Sequence, residues 1–177
     1  MQKLKLMVVL LVSIMALNVQ ADNLIKVEHS VIIHRSQNIV FDFAANLLND
    51  PLWREEVNTM TSDDEFGLGA VYLEDSHLGI RPHFLTQVEI TSLNAPKLVE
   101  ATTTSSNPYY LKVTRHFERF GLFSTLFTYE LEFDRAMAQA TMGGFTLPDK
   151  LVRDYYTARI AQYQGVLKFL LESGVVE

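Results

Sequence analysis

The segment Pro148–Glu172 constrains the fold of this chain more than any other stretch. Within it Leu151, Val152, Tyr155, Tyr156, Ile160, Tyr163, Val166, Leu167, Leu170 and Leu171 recur at steps of three and four. That spacing is the period of an α-helix with one broad apolar face. Pro148 suits a first helical position, Asp149 suits the positive end of the helix dipole, and Gly174 suits a stop. Such a helix needs a surface to bury its face. Tyr156, Ile160, Tyr163 and Leu167 are expected to meet that surface, and Asp154, Gln164 and Lys168 are expected in solvent.

The residues from Phe66 to Phe133 supply the surface. Ala70–Asp75, Arg81–Ser92, Lys97–Thr104, Tyr109–Glu118 and Phe123–Phe133 read as strands at the short, regular intervals of an antiparallel meander. Alternation assigns their faces: Phe84, Thr86, Val88 and Ile90 share one, as do Leu111, Val113, Arg115 and Phe117, and as do Phe127, Tyr129, Leu131 and Phe133. Upstream, Leu24–His34 reads as a first strand with Ile25, Val27, His29, Val31 and Ile33 together. Ser36 is a candidate N-cap for a helix carrying Ile39, Val40, Phe43, Ala44 and Leu47, which Asn49-Asp50-Pro51 breaks. A short turn with Leu52 and Trp53 follows, then a brief strand, Glu56–Met60. Asp134–Leu147 has no clean period and carries Gly143-Gly144, so it is expected as a mobile gate or a surface loop. The whole reads as an α+β chain: a curved antiparallel sheet of about seven strands around a long C-terminal helix, with two short helices after the first strand.

Residues 1–21 read as a cleavable signal peptide, leaving 22–177 as one domain. Lys3 and Lys5 precede the apolar run Leu6–Leu17, and Val19 and Ala21 are the small residues a signal peptidase selects. The run is shorter than the roughly 20 residues a spanning helix needs, so no stable membrane insertion is expected after cleavage. The expected address is a bacterial periplasm or the medium outside the cell. Cleavage leaves 13 of the 15 basic residues against 21 acidic ones, moving the net charge from −6 to −8. That balance gives no electrostatic footprint for nucleic acid. The chain has no cysteine, which excludes thiolate metal sites and thiol catalysis.

The order of elements and several local motifs resemble the START-like (SRPBCC) superfamily of polyketide cyclases/dehydrases and lipid-transport proteins, the helix-grip fold. The matching pieces are Val31-Ile32-Ile33 running into Ser36-Gln37-Asn38-Ile39-Val40-Phe41, Asn49-Asp50-Pro51-Leu52-Trp53, and Gly67-Leu68-Gly69-Ala70. Val88-Glu89-Ile90 with Ala95-Pro96, and the helix end Leu167-Lys168-Phe169-Leu170-Leu171-Glu172, match as well. The chain departs in lacking a proline-rich loop before Trp53 and in the length of Asp134–Leu147. The resemblance implies a deep apolar cavity between sheet and closing helix, and therefore a small hydrophobic ligand such as a lipid, isoprenoid or polyketide-like compound.

Candidate lining residues are Trp53, Phe84, Val88, Leu111, Val113, Arg115, Phe127, Tyr129, Leu131, Tyr156, Ile160, Tyr163 and Leu167, with His29 a candidate polar contact. The ligand is expected to have a long or polycyclic apolar body. Arg115 has three readings: it meets an anionic ligand head, it pairs with an acidic neighbour, since an unpaired charge is costly to bury, or the strand is out of phase near its end and turns it to the other face. His29 likewise reads as a core histidine bonded to a neighbour or as a ligand contact. The five histidines show no ligand spacing, so no metal and no cofactor are expected. No nucleophile signature appears either. The expected function is an exported binding or carrier protein. The alternatives are a cyclase or dehydratase-type enzyme in the same cavity, with His29, Arg115 and Tyr129 as candidate groups, and an envelope protein that binds a protein partner and no ligand.

Overall fold

The computed structural model describes residues 23–176. The signal-peptide reading of 1–21 lies outside the described residues. The first strand, β1, spans Leu24–Ile33, followed by helix α1 over Gln37–Ala44 and a 3-10 turn over Leu47–Leu52. Strands β2 (Val57–Thr61), β3 (Val71–Leu78), β4 (Arg81–Asn94), β5 (Leu98–Thr103), β6 (Leu111–Arg119) and β7 (Thr125–Asp134) come next. Helix α2 (Arg135–Thr141) and the closing helix α3 (Asp149–Ser173) complete the chain.

The seven strands form one antiparallel sheet in the order β1-β7-β6-β5-β4-β3-β2. β2 to β7 are thus a continuous meander, and β1 closes onto its last strand. Register irregularities occur in β2, β3 and β4. Such irregularities raise local twist and let a sheet curl, and they lie in the half of the sheet farther from β1. Alternation sets the faces as expected. In β7, Phe127, Tyr129, Leu131 and Phe133 are buried, while Thr128, Glu130 and Glu132 are half-buried on the other face.

Helix α3 packs along β1, and side-chain-to-backbone bonds fasten it to that strand and to the residues just after it. Lys168 Nζ donates to Ile32 O at 2.6 Å, and Arg35 Nε donates to Leu171 O at 2.6 Å. The helix ends at Gly174, whose φ of 70° is a left-handed conformation that glycine adopts without a steric penalty. Its buried stripe is Val152, Tyr156, Ile160, Tyr163, Gln164, Leu167 and Leu171, narrower than the apolar pattern suggested. Leu151, Tyr155 and Val166 are exposed because they fall on the flanks of that stripe. Gln164, expected in solvent, is fully buried: it lies four residues after Ile160 and three before Leu167, on the stripe itself.

Three local readings change. In α1, Phe41 is buried and Ile39 exposed, and the Ser36 side chain makes no capping bond. Pro51 lies inside the 3-10 turn instead of ending a helix. The segment read without a period holds α2, seven residues that are too short to display one. Its end rests on the β3–β4 turn, where Ile80 N–H donates to Thr141 O at 3.0 Å. A side chain at Gly79 would put its Cβ 2.3 Å from that same carbonyl oxygen, so only glycine permits the approach.

Candidate functional site

The 3-10 turn and the turn residues after it carry a charged cluster into the protein interior. Asn46 caps the turn by accepting from Leu48 N–H at 3.1 Å. The backbone then folds back, with Arg54 N–H donating to Asp50 O at 2.8 Å, which brings both side chains together. Asp50 is fully buried, and its carboxylate accepts from Arg54 Nη1 at 2.9 Å and from Arg115 Nη1 at 2.9 Å and Nη2 at 2.5 Å. Arg115 Nη1 also donates to Ala44 O at 2.7 Å. Arg54 in turn donates through Nε to Glu56 Oε1 at 3.1 Å, and through Nη1 and Nη2 to the two oxygens of Glu74 at 3.0 and 3.1 Å. Ser76 Oγ donates to Glu74 as well.

Paired and hydrogen-bonded charges of this kind persist in a low-dielectric interior where lone ones do not. Burial opposes the charge on Arg54, but the surrounding carboxylates, Glu74 foremost, outweigh it and hold the guanidinium well above its ordinary value. Burial opposes Arg115 in the same way, and Asp50 prevails. Arg115 is further sandwiched between aromatic faces, 5.1 Å from the Trp53 ring centroid and 5.4 Å from that of Tyr129. Burial pushes the Tyr129 and Tyr156 hydroxyls up. It also raises Tyr163, and the charge of Glu56 raises it further.

This cluster forms one wall of a cavity between sheet and closing helix. The cavity volume is about 50 Å³. The opposite walls are apolar: Val88, Ala101, Leu111, Val113 and Leu131 from the sheet, Tyr156, Ile160 and Tyr163 from α3, and Met60 and Met137 at the sides. The volume is well below the roughly 300–1,000 Å³ of pockets for drug-sized ligands. In this conformation it does not take the long or polycyclic body expected from the sequence.

Nine of the predicted lining residues meet there: Val88, Leu111, Val113, Arg115, Tyr129, Leu131, Tyr156, Ile160 and Tyr163. Four do not line it. Trp53 is buried behind the wall, edge-on to Phe127 and Tyr129. Phe127 and Leu167 are core residues, and Phe84 stacks on Tyr109 outside the cavity. His29 does not line the cavity either. It points at Gln164, whose amide nitrogen donates to His29 O at 2.8 Å while its oxygen meets His29 Nδ1. Arg115 points inward, so the strand is in phase, and it takes the reading in which it pairs with an acidic neighbour, since Asp50 occupies both of its terminal nitrogens.

The sequence reading missed Asp50, Arg54, Glu56 and Glu74. One signal was available: Arg115 on an apolar strand face demands a buried carboxylate, and Asp50-Pro51-Leu52-Trp53-Arg54-Glu55-Glu56 places acids and a base around an aromatic residue. Among the described residues no group of three or more His, Asp or Glu is arranged to hold a metal ion, and no helix is long and apolar enough to cross a membrane.

No protein-family model and no curated protein sequence matches this chain. Solved structures do match in fold. A START superfamily protein from Mycobacterium smegmatis superposes with a TM-score of 0.68 at 11% identity, over 84% of this chain and 98% of that one. The Zhui aromatase/cyclase from Streptomyces sp. R1128 gives 0.64 at 14% identity, over 86% and 96%. A truncated norcoclaurine synthase from Thalictrum flavum gives 0.60 at 13% identity, over 84% and 93%. At these identities the likeness is one of backbone architecture. The curved seven-stranded sheet, the short helices after β1 and the long closing helix give this chain the START-like helix-grip fold.

Proposed function

We propose that this chain is an exported binding or carrier protein for a small hydrophobic molecule held between the sheet and the closing helix. The observation that carries the reading is the interior cavity, with aliphatic and aromatic walls over most of its surface. Apolar area removed from water contributes roughly 25 cal/mol per Å² before the costs of association. Export rests on the Lys3/Lys5, Leu6–Leu17 and Val19-x-Ala21 pattern. Accommodation of a body larger than the present cavity is proposed to begin at α2. Met137 of that helix lines the cavity, and the α2–α3 connection carries Gly143 and Gly144 at positive φ. A flexible thioether is suited to such repacking.

The test is purification from the native host's envelope fraction, followed by mass spectrometry of the protein and of whatever small molecule accompanies it. The expected result is a chain starting at Asp22 with a stoichiometric apolar compound. A chain starting at Met1 contradicts export. A ligand-free protein that takes up no apolar probe contradicts the carrier reading and favours an envelope protein that binds a partner. The enzyme alternative keeps only one of its three candidate groups, Tyr129, which lines the cavity, because His29 is turned to Gln164 and Arg115 is held by Asp50.

A further inference from the structure

The cavity's polar wall specifies the head of its ligand, an inference that rests on the binding reading above. Two guanidiniums, Arg54 and Arg115, face three carboxylates, Asp50, Glu56 and Glu74. Both arginines are engaged by protein partners. Arg54 reaches all three carboxylates, and Arg115 spends its terminal nitrogens on Asp50 and Ala44 O. The Nε of Arg115 has no hydrogen-bond partner, but its guanidinium lies between the Trp53 and Tyr129 rings, whose faces offer it negative potential. An anionic head would therefore have to displace an internal carboxylate.

Glu56 differs. It lines the cavity at 2% exposure, and its Oε1 accepts from Arg54 while its Oε2 has no hydrogen-bond partner. A buried carboxylate oxygen without a donor is costly, and the charge count around it leaves one negative charge in excess. Arg159, the other cation near this wall, does not offset that charge: its guanidinium lies 5.6 Å from the Tyr163 ring centroid and donates to Glu55. The Tyr163 hydroxyl faces Glu56, but as a neutral donor it leaves the surplus negative charge in place. From the free acceptor and the surplus charge together we infer that the cavity takes an apolar amine. Its ammonium donates to Glu56 Oε2, and its hydrocarbon body lies against Val88, Ala101, Leu131 and Ile160.

Matched probes with the same chain and different heads separate this inference from the binding reading: n-hexylamine, 1-hexanol and hexanoate, titrated near pH 7 and followed by methyl NMR of the intact protein. The expected order is amine tightest, alcohol next and carboxylate weakest, with at least tenfold between the first and last. In Glu56→Gln the amine should lose at least tenfold, and its advantage over the alcohol should vanish. That variant leaves Arg54 with Asp50 and Glu74, and the charge-conserving Glu56→Asp should keep the preference for amine. Equal affinities, or a preference for hexanoate, in the wild-type protein overturn the amine inference and leave the binding reading standing, without recourse to any variant. Absence of binding by all three overturns both. Amine binding that is unchanged in Glu56→Gln overturns the role of Glu56.

Discussion

The two walls of the cavity are built by opposite means. The closing-helix wall, Tyr156, Ile160 and Tyr163, belongs to a single element repeating one rule, an apolar residue every three or four positions from Val152 to Leu171. The polar wall collects Asp50 from a 3-10 turn, Arg54 and Glu56 from the residues after it, Glu74 from β3 and Arg115 from β6. The first wall is held by area buried and tolerates approximate fit. The second is held by a few directed, charge-assisted bonds whose loss leaves a charge unpaired. Removing one member of each should therefore differ in kind as well as in size.

The largest effect is expected at Asp50. Asp50→Ala leaves Arg54 with one partner fewer and strips Arg115 of its carboxylate, so stability should fall by about 3–5 kcal/mol. Chemical denaturation of the isolated domain reads this directly, and a loss below about 1 kcal/mol would mean that the cluster is not the keystone of its wall. Ile160→Ala on the apolar wall comes next, at about 2–5 kcal/mol, toward the low end if the neighbouring methionines relax into the gap. An unchanged melting midpoint would remove α3 from its central place in the packing.

The smallest effect lies outside the cavity and serves as the contrast. On the outer face of the sheet Lys26 pairs with Glu130 across β1 and β7, with more than half of the lysine side chain exposed. Hydrogen bonding to Lys26 holds the Glu130 carboxyl below its ordinary 4.5. A depressed folded-state pKa contributes stability that is full above the unfolded value and fades as pH falls through the folded one. Lys26→Met should therefore lower the melting temperature slightly at pH 6 and leave it unchanged at pH 2. Equal shifts at both pH values would show that the loss is one of packing alone. Exposed pairs of this kind contribute little, so the comparison with Asp50 measures what burial adds.

How much of this was legible in the sequence follows the same division. The closing helix, the strand faces of β6 and β7 and the nine shared lining residues follow from local periodicity, which a linear sequence displays. The Asp50 cluster joins residues as far apart as Asp50 and Arg115, and no local pattern announces such a pairing. Arg115 posed the question, and only the fold supplied the answer. Gln164 teaches a narrower lesson. Its place on the stripe was readable from Ile160 and Leu167, but its polarity suggested solvent. The structure instead buries it because His29 O and Nδ1 give its amide partners. Trp53, Phe84, Phe127 and Leu167 were expected to line the cavity and instead pack against neighbouring side chains. The face of a strand or helix tells that a side chain points inward, not whether it meets a neighbour or an empty space.

The central claim is that the space between sheet and closing helix is a binding site and not a packing defect. Ala101 lines that space from β5, so Ala101→Leu should fill part of it without touching the charged wall. Titration of wild type and variant with 1-hexanol, alongside their melting curves, is the most direct test. The account predicts at least tenfold weaker binding by the variant, with a melting temperature equal to or above that of the wild type. Undiminished binding by Ala101→Leu, or no binding by the wild type, would contradict it.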